Sequence, residues 1–305
     1  MNGNHVITTH DLTRYYGAVR GIEALDLEVR QGEVFGFLGP NGSGKTTTIR
    51  LLLDMIRPSH GSARIFGLDT QRHSTDIKKR VGNLPGDVSF YDSLKGIEVL
   101  NLLASFRGPT GAKRLKELTE RLNLDLSRVV RTYSHGMKQK LALIQAFMHD
   151  PELLILDEPT EGLDPLMQQE FYKLIHEESA KGKTVFLSSH ILPEVERLCS
   201  RVGIVREGHL VTVEEIEVLK AKRRRRMELV LKHEVPDSML SLPGAQLVRR
   251  NGQRFDFLVS GDVEALLKTV ATLPIQDIIF PEPTLEEAFM EFYKPPETHD
   301  AEAAA

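Results

Sequence analysis

Eight residues, GPNGSGKT from Gly39 to Thr46, and an adjacent pair of acids, Asp157 and Glu158, carry the chemistry that can be read in this chain. The first stretch fits G-x-x-x-x-G-K-[ST]. It lies between an apolar run of strand length, EVFGFLG (Glu33 to Gly39), and TTTIRLLLDMI, whose apolar residues recur at helical spacing. In that setting the glycines let successive backbone N–H groups turn inward around phosphates, and the following helix aims its positive N-terminus at them. Gly39, Pro40, Asn41, Gly42, Ser43, Gly44, Lys45, Thr46 and Thr47 are therefore expected to hold a nucleoside triphosphate. Lys45 supplies the cation for the β- and γ-phosphates, and the Thr46 hydroxyl is placed to bind Mg²⁺.

The acidic pair names the reaction. LLIL before Asp157 is a short continuous apolar run, as expected of a strand buried on both faces of a parallel sheet. Open sheets of that kind bind ligands at the carboxyl ends of their strands. Asp157 there completes the Mg²⁺ shell with Thr46. A second carboxylate beside it is disfavoured by repulsion unless it has work to do. Orienting and polarising a water that faces the γ-phosphate is that work, so Glu158 is expected to be the general base.

The elements that must position these groups follow from the same periodicities. Residues 4 to about 90 alternate strand-like runs (VITTHDL, LDLEV, EVFGFLG, GSARIFG) around the loop and its helix. Residues 92–150 lack strand signals and carry leucine-rich helical patterns such as LKGIEVLNLLASF and RLKELTERLNL. Residues 151–213 return to alternation: LLILDE, FYKLIHEESA, KTVFLSS and a VGIVREGHLV hairpin. Alternation of this kind predicts an α/β fold with a mainly parallel sheet and helices on both faces. KAKRRRRM, Lys220 to Met227, then separates this core from a second region. Its basic residues suit either a solvated hinge, the favoured reading, or contact with anionic lipid. Beyond it, MELVLKHE, RFDFLVS and IQDIIF read as strands, and DVEALLKTVATL and PTLEEAFMEFY as helices. The expected organisation is a nucleotide-binding domain over 4–218 with a helical part at about 92–150, a basic linker over 219–226, a small α/β domain over 227–294, and a disordered tail over 295–305.

The order of four segments carries a resemblance. GPNGSGKT, YSHGMKQK from Tyr133, LLILDEPTEGLDP from Leu153, and FLSSH ending at His190 resemble the nucleotide-binding subunits of ABC transporters, over Val6 to about Val213. The single such domain, the YS-x-GM form of the signature and the small C-terminal extension are similar to ATP-binding proteins of the ABC-2 exporter type. The resemblance implies a phosphate-loop ATPase core with an antiparallel β subdomain and a helical signature subdomain. It implies ATP and Mg²⁺ as cofactors, and Tyr16 of RYYG as the aromatic that stacks on adenine, with Tyr15 as its rival. It also implies that Ser134, His135 and Gly136 bind the γ-phosphate of ATP held by the opposite subunit, with Asp164 acting across that dimer. His190 resembles the switch histidine that touches the γ-phosphate. The implied partners are a second nucleotide-binding subunit, in an ATP-dependent homodimer, and a polytopic membrane permease. The implied location is cytoplasmic, peripheral on the inner face of the membrane through that permease. Two departures stand out. Gly86 occupies the place of the family's usual glutamine, so either a ligand is lost or the glycine serves a φ > 0 backbone, with Asp87 as a substitute ligand. His135 and Met137 replace residues of the usual LSGGQ.

Composition narrows the classes. A chain of 305 residues with 41% apolar content is enough for two folded domains. A formal net charge of −4 argues against a nucleic-acid partner, which calls for a dominant basic face. The single cysteine, Cys199, excludes a disulfide framework and a Cys-based metal site. No apolar run approaches the 18 or more residues that a spanning helix needs, and the N-terminus has no basic-then-apolar signal pattern. The main expectation is an ATPase subunit that powers a separate membrane permease. A soluble ATPase acting on nucleic acid or ribosomes and a low-turnover nucleotide-dependent scaffold are the alternatives.

Overall fold

The computed structural model describes residues 5–106, 112–221, 225–260 and 263–281. They fall into two compact units divided after Ile216.

The first unit opens with two long antiparallel strands, β1 (His5–Tyr16) and β2 (Val19–Arg30), turning at Gly17. Strand β3 (Val34–Leu38) leads into the phosphate loop and helix α1 (Lys45–Leu52). Strands β4 (His60–Ile65) and β5 (Leu68–Asp69) extend the first sheet, whose order is β2-β1-β4-β5. Helix α2 (Ser74–Arg80) and strand β6 (Val81–Leu84) come next, followed by α3 (Gly96–Ser105), α4 (Ala112–Arg121) and α5 (His135–Phe147). The described part of 92–150 thus forms helices joined by loops, as the leucine spacing predicts. Strand β7 (Leu153–Asp157), helix α6 (Pro165–Ala180), strand β8 (Thr184–Ser189), helix α7 (Leu192–Leu198) and the hairpin β9 (Arg201–Arg206)–β10 (His209–Glu215) complete the unit.

The six-stranded sheet runs β10-β9-β3-β8-β7-β6, parallel throughout except for β10. Every residue of β3, β7 and β8 is buried, the condition that produces continuous apolar runs rather than alternation. Phe35 and Phe186 stack across neighbouring strands at a centroid separation of 5.8 Å. Register decides the rest: Leu38 pairs with Ser189, Asp157 with Ser188, and Leu84 with Leu156. The carboxyl ends of β3, β8, β7 and β6 therefore lie side by side; the first three are followed at once by a candidate site residue (Gly39, His190 and Glu158), and Gly86 comes two residues after β6.

Helices α4 and α6 are tied by charge. Arg114 pairs with the buried Glu178 at 2.6 Å, and Arg121 with Glu170 and Glu177 at 2.7 and 2.6 Å. Lys181 and Lys183 also reach Glu178.

The boundary differs from the expected linker. Helix α8 (Ile216–Ala221) occupies its first part, and Arg225 and Arg226 open strand β11 (Arg225–Leu231), paired with Val259 and Leu258. Arg225 and Arg226 accept a strand here because backbone pairing needs no apolar side chain. Strand β12 (Ala245–Asn251), β13 (Arg254–Val259), helix α9 (Val263–Val270) and β14 (Ile275–Ile279) complete an antiparallel sheet of order β12-β13-β11-β14. Met227, Leu229 and Leu231 alternate inward opposite Phe255, Phe257 and Val259, forming a second core. The predicted helix PTLEEAFMEFY and the tail over 295–305 lie outside the described residues.

Candidate active site

The loop after β3 is shaped by glycine. Gly42 has φ 78° and Gly44 has φ 108°, both in the left-handed region that favours glycine. A Cβ on Gly44 would stand 2.6 Å from Ile22 and 2.7 Å from the Gly21 carbonyl, and one on Gly39 would run into the Val205 carbonyl. Neighbouring backbone braces the loop: the Gly208 N–H donates to the Ser43 carbonyl at 3.0 Å, and the Glu23 N–H to the Gly208 carbonyl at 2.8 Å. The β9–β10 turn thus supports the phosphate loop from behind.

Lys45 opens α1 and is 6% exposed. Its ammonium donates to the carbonyls of Gly39 at 2.8 Å and Pro40 at 3.1 Å, and pairs with Glu158 Oε1 at 3.1 Å. Asp157 ends β7 fully buried and accepts a hydrogen bond from Ser188 Oγ at 2.5 Å. Glu158 leaves the strand abruptly, with φ 49°. For a residue with a Cβ, that conformation costs on the order of 1–3 kcal/mol, and such strain gathers at functional sites. Its N–H is held by Ser188, at 3.1 Å to Oγ. His190 Nδ1 lies 2.6 Å from Glu158 Oε2. The kink explains how two adjacent acids coexist: Asp157 is satisfied by Ser188, and Glu158 by Lys45 and His190.

These groups share one cleft of about 490 Å³, within the range of ligand pockets. It is lined by Tyr16, Asn41, Gly42, Gly44, Lys45, Thr46, Thr47, Asp157, Glu158 and His190, while Gly39, Pro40 and Ser43 complete the loop. Tyr16 lies at its mouth, 42% exposed, and a Cβ on Gly21 would meet its ring at 2.9 Å and Thr47 at 3.1 Å. The guanidinium of Arg14 sits 4.9 Å from the ring centroid. Tyr15 is committed elsewhere, its hydroxyl donating to Glu23 at 2.7 Å. Arg20, Arg50 and Glu161 also line the cleft, although the sequence reading passed over them. Arg20 and Arg50 belong to no motif; Glu161 lies within the LLILDEPTEGLDP segment, where the spacing alone gave it no role.

Ser134, His135, Gly136 and Asp164 do not line this cleft. Ser134 caps α5, its Oγ accepting from the Met137 N–H at 3.3 Å, and Asp164 caps α6, accepting from the Leu166 and Met167 N–H groups at 3.0 Å. His135 packs on Gly162, and a Cβ on Gly136 would stand 2.7 Å from the Gly162 carbonyl. The signature residues and the Asp164 loop thus meet each other rather than the phosphate loop of their own chain.

Gly86 lines the cleft with Asp87, two residues beyond β6. It does not have a positive φ, which corrects the backbone account of this glycine. Space is the constraint instead: a Cβ there would stand 2.9 Å from Asp157 Oδ2.

The residues present fit a nucleotide with Mg²⁺. Ser43 Oγ is buried without a hydrogen-bond partner beside the inward-turned loop, as a hydroxyl facing an anion would be. A carboxylate on Asp157 and a hydroxyl on Thr46 are the hard oxygen donors that Mg²⁺ takes.

Comparison with known proteins follows the same line. The family model described as ABC transporter matches residues 22–161. The bacitracin transport ATP-binding protein BcrA of Bacillus licheniformis is 41% identical over 229 residues, covering 74% of this chain and 75% of that one. The daunorubicin/doxorubicin resistance ATP-binding protein DrrA of Streptomyces peucetius is 34% identical over 210 residues, covering 67% of this chain and 64% of that one. A solved structure described as the ATP binding subunit of an ABC transporter superposes with a TM-score of 0.67 at 31% identity, covering 70% of this chain and 92% of that one.

Proposed function

This chain belongs to the ABC transporter family as an ATP-binding, ATP-hydrolysing subunit that powers a separate membrane permease, and from that premise we propose that it drives an exporter of the ABC-2 type as one of two identical subunits. The names of the bacitracin and daunorubicin relatives support export. Among the described residues no helix is long and apolar enough to cross a membrane. Attachment to the inner face through the permease is part of this reading. Pairing of two copies is supported by the signature residues lying away from their own cleft.

The observation that carries the reaction is the shared carboxylate. Glu158 is held between Lys45 and His190, beside the buried Asp157, at the edge where the phosphate loop ends. In this reading the amides of Gly39 to Thr47 and the Lys45 ammonium hold the phosphates. Thr46 and Asp157 hold Mg²⁺, which supplies neutralisation of phosphate charge. Glu158 takes the proton of the attacking water, and His190 fixes the Glu158 carboxylate in place. Tyr16 offers its ring face to the base, a contact that favours aromatic bases without reading their edges.

Glu158→Gln tests this. It is expected to retain ATP binding and to lose about 10²-fold or more of turnover, as removal of a general base does. The same variant is expected to dimerise on ATP in size exclusion, because the closed pair is no longer emptied. Near-normal turnover removes Glu158 from the role. Co-purification of the tagged chain with a polytopic membrane protein tests the partner, and its loss on solubilisation in the ATP-locked Glu158→Gln form counts against it.

A further inference from the structure

The strand that leads to His190 carries one hydroxyl that bonds to both acids. Ser188 is fully buried, and its strand β8 lies between β3 and β7, so its backbone is fixed from both sides. Its Oγ accepts from the Glu158 N–H at 3.1 Å, and the same N–H lies 3.3 Å from the Ser188 carbonyl. A backbone N–H can only donate, so the single proton of the hydroxyl is left for another acceptor. It goes to Asp157 Oδ1, at 2.5 Å. That bond makes the two oxygens of Asp157 different. Oδ1 is taken by the hydroxyl. Oδ2 lies toward Gly86, 2.9 Å from where an added Cβ on that glycine would stand, and both residues line the cleft.

We propose that Ser188 is a positioning residue for the metal: its hydroxyl occupies Asp157 Oδ1, leaves Oδ2 as the oxygen offered to Mg²⁺, and fixes that oxygen relative to the kink that carries Glu158. The inference rests on the reading of Asp157 as a holder of Mg²⁺. A carboxylate free to rotate offers either oxygen, and a hydrogen bond to one of them selects the other. Packing alone accounts poorly for the residue. Every position of β8 is buried, and a strand of that kind is best served by apolar side chains, yet serine stands beside Asp157 in register. The same hydroxyl bonds the N–H of Glu158, whose φ of 49° persists only where its surroundings hold it. One atom on a central strand therefore sets the ligand and the base together.

Calorimetry on the full chain tests this without relying on turnover. A non-hydrolysable ATP analogue is titrated in chelator and again with Mg²⁺, and the ratio of the two affinities is the contribution of the metal. In Ser188→Ala that ratio is expected to fall about tenfold, the scale on which losing a hydrogen bond to a metal ligand acts, with affinity in chelator within about twofold of the parent. Ser188→Thr keeps the hydroxyl and is expected to hold the ratio within about threefold. A parent-like ratio in Ser188→Ala overturns the proposal, as does a ratio in Ser188→Thr as low as that of the alanine variant. Where Ser188→Ala does not fold, Ser188→Cys keeps the shape of the side chain with only a weak donor. The proposal then requires the same fall, and a parent-like ratio refutes it. Asp157→Asn identifies which assignment has failed. Loss of the metal's contribution there, beside a parent-like Ser188→Ala, removes Ser188 alone, whereas a parent-like ratio in Asp157→Asn removes the reading of Asp157 itself.

Discussion

Gly86→Ala is the sharpest perturbation that the site offers. The added methyl would stand 2.9 Å from Asp157 Oδ2 and 3.2 Å from its Cγ, where ordinary contact begins at 3.4 Å. The carboxylate must therefore retreat by about 0.5 Å, or the segment after β6 must lift by as much. Asp157 is poorly able to retreat: it is 1% exposed, ends a strand flanked by β6 and β8, and is held by Ser188. Overpacking of this kind costs about 1–3 kcal/mol. If the lower half of that range falls on the geometry of the reacting groups, turnover drops about tenfold, since 1.36 kcal/mol is a factor of ten in rate. The assay is phosphate release by the full chain at saturating ATP with Mg²⁺ titrated, alongside calorimetric ATP binding in chelator. A reduced kcat and a raised Mg²⁺ half-saturation are expected, with metal-free ATP affinity unchanged. Gly86→Gln carries the same Cβ, so it is expected to fall as well; turnover above that of the alanine variant measures what a carboxamide contributes. Gly86→Ala turnover within twofold of the parent at every Mg²⁺ concentration refutes the steric argument. The backbone is not the cause in either variant, because Gly86 lies outside the positive-φ region.

Lys45→Ala is expected to lose nucleotide affinity together with turnover, since it removes the only side-chain cation of the loop; an unchanged dissociation constant by calorimetry would place the binding site elsewhere. Glu178→Gln leaves Arg114, Lys181 and Lys183 around a neutral buried group and is expected to cost about 3 kcal/mol, read as a lower midpoint in urea. The pH dependence of that loss has a definite sign. Burial pushes the Glu178 carboxyl up, but hydrogen bonds from Lys181 and Lys183 and the charges of Lys183 and Arg114 bring it below its ordinary value of 4.5. The folded value is thus depressed, so the contribution is complete above pH 4.5 and is lost as pH falls through the folded value. The stability gap between parent and variant is expected to be constant above pH 4.5 and to close below it; a gap that widens in acid contradicts the assignment.

Local chemistry explains what could be read without coordinates. The phosphate loop, the helix after it and the acidic strand end are legible because each depends on neighbours in the chain: glycine backbone freedom, helical spacing, and a run apolar enough to be buried on both faces. The strands of the second unit with alternating inward residues are legible for the same reason. Strand β12 was not, because AQLVRRN lies at a sheet edge with nearly every residue exposed and leaves no apolar alternation to read. Tertiary structure decided whatever depends on residues far apart in the chain meeting. Tyr16 and its rival Tyr15 are adjacent on paper; strand register sends the Tyr15 hydroxyl to Glu23 and leaves the Tyr16 ring at the cleft. Gly86 carries no local sign of its constraint, which comes from Asp157 across the edge of β6 and β7. The contact of Glu158 with His190 spans 32 residues and exists because β7 and β8 are neighbours in register. Short-range preferences choose the elements; strand order and register, set by burial over the whole domain, choose which side chains meet.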